Sequence, residues 1–359
     1  MHRNKIAWLV LIIAIVAIKT FSLFPAAVEK YYSTAFYPWF SRLLRLLFGW
    51  IPFSIGDILY LAAGLFLLYK FVRFLAVLFT GRADKTYWWS GIRWVIYYCM
   101  LVYCVFNIFW GLNYNRLGMA AQMRLDMKPY STTELADVTR VLISRLDTFT
   151  VAADGKRSVY LRKRPLFETA YDSYRMAASR YPHLDYTVQS VKTSLYKYPG
   201  DYLGYMGYYN PFTGEAQVNN TVPVFVRPFT TCHEMGHQLG YAKENEANFA
   251  GYLSAKSSPD PVFRYSVYFD LYNYAIRELY FRDSVLAKNL NKEKPLQVKT
   301  DIITLRNFFK AYENPVEPYI RKLYGEYLKA NEQPEGMHSY NEVMAFLVAY
   351  YNKFGAAAL

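Results

Sequence analysis

The chain has 359 residues, 53% of them hydrophobic and 19% aromatic, which gives room for about two domains of ordinary size. Its net charge of +13 is not gathered into a Lys/Arg run beside a nucleic-acid reader motif, so nucleic acid is excluded as a partner. Three cysteines, two of them inside an apolar stretch, exclude a disulfide framework.

Apolar character is concentrated before about residue 112. Arg3 and Lys5 precede a run from Ile6 to Ile18 that resumes after Lys19 and reaches Phe24. A signal peptide begins this way, but Phe24-Pro25-Ala26-Ala27 is a poor cleavage site, so a retained transmembrane helix over about 6–24 is expected. Residues 36–50 set Trp39, Trp50, Arg42 and Arg45 among leucines, the pattern of an amphipathic segment lying at a membrane interface. A second span follows at about 55–79 and a third at 94–112.

Basic residues set the expected orientation. The N-terminus and the second loop share Arg3, Lys5, Lys70, Arg73, Arg82, Lys85 and Arg93, against Lys30, Arg42 and Arg45 in the first loop. The positive-inside rule places the N-terminus in the cytoplasm and, after three spans, the 113–359 domain outside it. The lipid bilayer is thus the first expected partner.

From Asn113 the pattern is mainly helical. Ser131-Thr-Thr-Glu134 is a capping box opening a helix to about Phe149. Pro165 opens another that ends near Tyr181-Pro182. Helical periodicity returns at about 262–289, 301–330 and 340–353, with breaks at Pro315 and Pro318. Between these groups, the Gly- and Tyr-rich stretch 198–220 predicts two strands, 203–209 and 215–220, joined by an Asn210-to-Gly214 turn. Such an edge can pair with an extended peptide, which makes Tyr208, Tyr209 and Glu215 candidate substrate-binding residues.

The chemistry is concentrated in His233-Glu234-Met235-Gly236-His237. On a helix the two histidines lie one turn apart on one face, so their imidazoles can share one Zn2+ ion. Glu234 stands where it can take a proton from a water on that ion. Leu239-Gly240 ends the helix at a glycine. Cys232 points about 100° away from His233 and reads as a core residue. A catalytic zinc needs a third protein ligand, and Glu244 and Glu246 follow within a short turn. On a second helix they point about 200° apart, so one of them coordinates. The face of Glu244 continues through Ala247, Asn248 and Gly251, small enough for close helix packing, which favours Glu244. A tight hairpin would bring Glu246 level with His237, which keeps Glu246 as the alternative. Asn248 is placed to hold a histidine ring. His338 and Tyr340 are candidate oxyanion donors by residue type alone.

His233-Glu-x-x-His237 followed by Glu244-x-x-x-Asn248 resembles the gluzincin peptidases, with a shorter link and Asn248 in place of the commoner aspartate. Together with Trp110-Gly-Leu-Asn-Tyr114, the Tyr209-to-Glu215 segment and Glu244-to-Phe249, the chain resembles the bacterial DUF3810 family. The resemblance implies a zincin-like α+β domain with a small sheet, behind three spans in a bacterial inner membrane. It implies Glu234 as catalytic base, His233, His237 and Glu244 as zinc ligands, and a peptide or protein substrate. Two rival readings are a zinc-stabilised sensing or binding protein without activity, and a zinc hydrolase of a non-peptide envelope bond.

Overall fold

Three long helices near the N-terminus come directly from the apolar runs. In the computed structural model, which describes residues 2–334, 336 and 342–359, α1 spans His2–Ser22, α4 Ile55–Phe79 and α5 Lys85–Phe109. Each contains a stretch long and apolar enough to cross a bilayer. Leu65, Leu67 and Val102 are more than half exposed on their flanks. Aromatic pairs join them, Trp8 with Tyr97 and Phe74 with Trp88. The third helix begins nine residues before the expected Trp94, because Asp84 caps it by accepting from Tyr87 N at 2.7 Å.

The segment between the first two apolar helices is helical from Pro25 to Phe48: a turn α2 at Pro25–Ala27, a π-helical stretch Val28–Phe36, and α3 at Tyr37–Phe48. It is amphipathic as expected, but its polar face is not turned to water. Tyr37, Ser41 and Arg45 are buried against the C-terminal layer, while Trp39, Leu46 and Leu47 are exposed. The cause is hydrogen bonding: Ser41 Oγ donates to Gln238 O at 2.8 Å, and Arg45 donates to Val188 O at 3.1 Å. Packing therefore does not divide at residue 112. The ends of these helices near Ser22, Ile55 and Phe109 all lead into the C-terminal layer, and the turn at Thr80–Asp84 lies at the far ends.

That layer is mostly helical: α6 Gly118–Gln122, α7 Thr132–Asp154, α8 Lys163–Ala178, α9 Lys197–Leu203, α10 Arg227–Gln238, α11 Glu244–Ser257, α12 Pro261–Arg282, α13 Ser284–Lys292, α14 Leu296–Ala311, α15 Glu317–Ala330 and α16 Val343–Phe354. The capping box at Ser131 and Glu134 starts α7. The expected 262–289 helix is two, because Asp283 leaves the helical conformation and caps α13. The 301–330 stretch divides at Asn314-Pro315.

A small sheet covers one side of α10. β1 (Val191–Thr193) runs parallel to β3 (Glu215–Val218), and β2 (Gly207–Asn210) runs antiparallel to β3, in the order β1-β3-β2. The hairpin lies where the sequence placed it, but its first strand is shorter. Residues 197–203 form α9, closed by Gly204 at φ +77°, and β2 starts only after that turn. β1 carried too short a pattern to be read.

Helix α10 is buried along its whole length. It packs on α11 through small residues: a Cβ on Gly251 would lie 3.0 Å from His233 N, so only glycine permits this approach. Gln238 ties the helix to the sheet, donating to Ser190 O at 3.0 Å and Gly214 O at 2.7 Å.

Candidate metal centre

Both histidine rings are held by their Nδ1 atoms. His237 Nδ1 lies 2.8 Å from Tyr241 O, and His233 Nδ1 lies 2.8 Å from Asn248 Oδ1. A carbonyl oxygen only accepts, so Nδ1 of His237 carries a hydrogen and Nε2 faces the centre; the amide oxygen of Asn248 does the same for His233. Glu244 Oε2 lies 3.2 Å from His233 Nε2 and 3.5 Å from His237 Nε2. Its other oxygen accepts from Tyr324 Oη at 2.9 Å, and its main-chain N–H donates to Gln333 Oε1 at 2.9 Å.

These spacings suit a tetrahedral ion. Bonds of about 2.0–2.1 Å place neighbouring ligand atoms about 3.3 Å apart. The donor set also lacks positive charge: Glu234 Oε2 and Glu244 Oε2 are buried and accept no hydrogen bond among the described residues. Burial pushes the Glu234 carboxyl up to about 7, with Glu244 raising it further and the two histidines opposing. Burial would lower His237, but the Glu244 carboxylate beside it brings it up to about 8. Glu244 itself is destabilised as an anion by burial, yet His237 and His233 hold it well below the usual carboxylate range. A cation, whether proton or metal, belongs between these groups. The donor set fits zinc.

Glu234 follows His233 and turns toward β2. A Cβ on Gly207 would lie 2.7 Å from Glu234 Oε1, so the strand passes the carboxylate at a distance only glycine allows. One of its carboxylate oxygens lies within 4.8 Å of a ring nitrogen of each histidine. The cavity in front of it encloses about 810 Å³ and includes His233, Glu234 and Asn248 in its wall. Phe229, Phe269, Ile302 and Phe309 give it an apolar lining, and Tyr60 of α4 contributes from the membrane side.

The other candidates are placed elsewhere. Glu246 points away from the centre: its Oε1 accepts from Met119 N at 3.0 Å, and burial raises its pKa. Glu215 is a correction to the substrate-binding reading. It is fully buried outside the cavity lining and accepts from Gly56 N at 2.6 Å, Ile55 N at 3.2 Å and Thr213 Oγ1 at 2.9 Å. The four free main-chain N–H groups at the start of α4 attract such a carboxylate. Tyr209 is committed to Tyr37 Oη at 3.1 Å and stacks on His237, outside the cavity lining. Tyr208 does line the cavity, but its hydroxyl donates to Asp57. His338 and Tyr340 lie outside the described residues. Cys232 is buried in the main core, and burial pushes its thiol up to about 12.

A family model described as "Protein of unknown function (DUF3810)" matches residues 32–348. The chain belongs to the DUF3810 family. The match begins within the π-helical stretch and ends in α16, so the DUF3810 unit takes in α3, two of the apolar helices and the centre together. No curated protein and no solved structure matches this DUF3810 chain.

Sequence reasoning missed Tyr324, Gln333, Tyr241 and Trp110. Trp110 Nε1 donates to His237 O at 3.3 Å, and its ring stands edge-on to that histidine, 5.9 Å between centroids. Trp110 alone had a visible signal, as an aromatic residue at the end of an apolar run.

Proposed function

We propose that this DUF3810 protein is a membrane-anchored zinc peptidase with a zincin-like catalytic layer. The observation that carries the reading is the convergence of Glu244 Oε2 on both Nε2 atoms, at 3.2 and 3.5 Å, beside an unpartnered Glu234 carboxylate at the cavity. His233, His237 and Glu244 would hold the ion. Bound there, zinc supplies Lewis-acid polarisation and lowers the pKa of a water ligand.

The chain's own residues do the rest. The cavity holds the peptide against the centre and its apolar wall excludes bulk water. Glu234 Oε2 takes the proton of the attacking water and delivers it to the leaving amine nitrogen. Asn248 and Tyr241 fix the histidine rings, and Tyr324 orients Glu244. An oxyanion donor is assigned to none of the described residues.

Two features support the location. Tyr60, in the second turn of α4, lines the cavity, so substrate enters beside the membrane face. Arg45 is buried and no longer counts among the first-loop charges, which leaves Lys30 and Arg42 against seven on the opposite side. That bias supports an N-terminus in the cytoplasm and a catalytic layer outside it.

Full-length protein in detergent is expected to carry one zinc per chain and to hydrolyse an unfolded protein substrate. Glu234→Gln should retain the zinc and lose at least about 100-fold in rate. Hydrolysis unchanged in Glu234→Gln would sink the assignment, and so would a wild-type chain that purifies with no metal affinity.

A further inference from the structure

Three carboxylates line the cavity, and two have evident commitments. Glu234 belongs to the metal centre. Glu317 is paired with Arg321 on the next turn of α15. The third, Asp270 on α12, is 8% exposed; its Oδ2 is sealed and accepts no hydrogen bond, and its carboxylate has no ion-pair partner among the described residues. Leaving a carboxyl in that condition is costly, and fold stability does not repay it.

Its position relative to the centre is fixed by packing. Phe229 N donates to Ser266 Oγ at 3.0 Å, locking the start of α10 to α12. His233 stands one turn beyond Phe229, and Asp270 one turn beyond Ser266, both in the wall of the same cavity. Asn273, Tyr274 and Arg277 continue the face of Asp270 at the following positions. Opposite them Ile302, Leu305, Phe309 and Ile320 form an apolar stretch, with Arg306 and the Glu317–Arg321 pair also in that wall. A substrate chain lying there meets methylene and ring surface, the guanidinium groups of Arg277 and Arg306, and one acid with no ion-pair partner among the described residues.

We propose that Asp270 is a specificity-determining residue that receives a primary ammonium group of the substrate, either a lysine side chain or the N-terminus of a peptide. This rests on the peptidase reading. An ammonium offers three donors and the charge that the carboxylate lacks, while its aliphatic stem suits the apolar wall. Neutral side chains satisfy only the wall.

The test uses the full chain carrying Glu234→Gln, zinc-loaded in detergent, so that binding is read without turnover. Peptides of one length, labelled at the C-terminus, form three arms: acetylated with lysine walked along a norleucine background, free N-terminus without lysine, and acetylated without lysine. Fluorescence anisotropy is expected to show one cationic arm binding about 10-fold or more tighter than the neutral arm. Adding Asp270→Asn should bring that arm to within about 2-fold of the neutral peptide, whose own affinity stays unchanged and serves as the folding control. The arm that responds identifies the source of the ammonium. Equal binding of all arms overturns the proposal, as does a preference that survives Asp270→Asn. Loss of every affinity together in Asp270→Asn reports a structural role and overturns it too. If no peptide binds the zinc-loaded protein, the peptidase reading fails and takes this proposal with it.

Discussion

Trp110, the first residue past the third apolar helix, donates its indole N–H to the main-chain oxygen of His237 at 3.3 Å. From the other side Tyr37 donates to Gln238 O at 3.3 Å, and Ser41 reaches the same oxygen. His237 O also accepts from Gly240 N at 2.9 Å, so the end of α10 is capped both by its own turn and by residues of the N-terminal helical region. A fragment of residues 113–359 would lose these donors and leave Ala242 and Tyr209 without their packing. We expect it to aggregate or remain unfolded, whereas the full chain in detergent is monodisperse. Size-exclusion chromatography of the two decides the matter; a well-folded, zinc-binding fragment would show that the cap is dispensable.

The two glutamates of α11 have separate roles that metal analysis distinguishes. Glu244→Ala removes a ligand and should abolish stoichiometric zinc. Glu246→Ala should keep zinc but lose about 1–3 kcal/mol of stability, because Met119 N is left without its buried partner. Elemental analysis together with a thermal melt gives both readouts. Zinc lost with Glu246→Ala and kept with Glu244→Ala would reverse the assignment.

How far the sequence reached can be seen in particular residues. Helix periodicity placed His233, His237 and Glu244 on facing helices, because spacing within the twelve residues from His233 to Glu244 is a local property. What turns the Glu246 carboxylate away from the two histidines is Gly118 and Met119, more than a hundred residues away, whose main chain lies beside it. Arg45 read as a surface charge because one-dimensional patterning cannot show that Val188 O waits for it. Glu215 read as a candidate substrate contact because its hairpin precedes α10, while its partner is the start of the apolar helix α4, 159 residues earlier. Contacts between the apolar helices and the C-terminal layer carry no local signature.

In the proposed centre, Tyr324 and Asn248 would position the ligands without touching the ion. Tyr324 Oη donates to Glu244 Oε1 at 2.9 Å, and Asn248 Oδ1 accepts from His233 Nδ1 at 2.8 Å. Removing such an outer partner typically weakens metal affinity about 10–100-fold. Tyr324→Phe and Asn248→Ala should each fall in that range in chelator competition while the fold is retained. Affinity within about 2-fold of wild type in both would mean that the ligands are held by packing alone.

Asp270 gives a prediction about stability and pH that is independent of catalysis. Burial raises its carboxyl from 3.8 to about 8. Between those values the folded chain holds a proton that the unfolded chain has released, so stability falls as pH rises from about 4 to about 8 and is level beyond either end. The charged and titratable groups around it are His233 and Glu234 of α10, Tyr274 and Arg277 of its own helix, and Arg306 and Arg321 across the cavity. Asn has nearly the same shape and no charge to desolvate. Asp270→Asn should therefore leave stability unchanged near pH 4 and raise it by about 2–4 kcal/mol at pH 7.5, flattening the profile. Melting temperatures of the two proteins in detergent at pH 4.5, 6 and 7.5 measure the difference. Parallel profiles would mean that the acid finds a partner in solution, and with it the reason to assign Asp270 to a ligand would disappear.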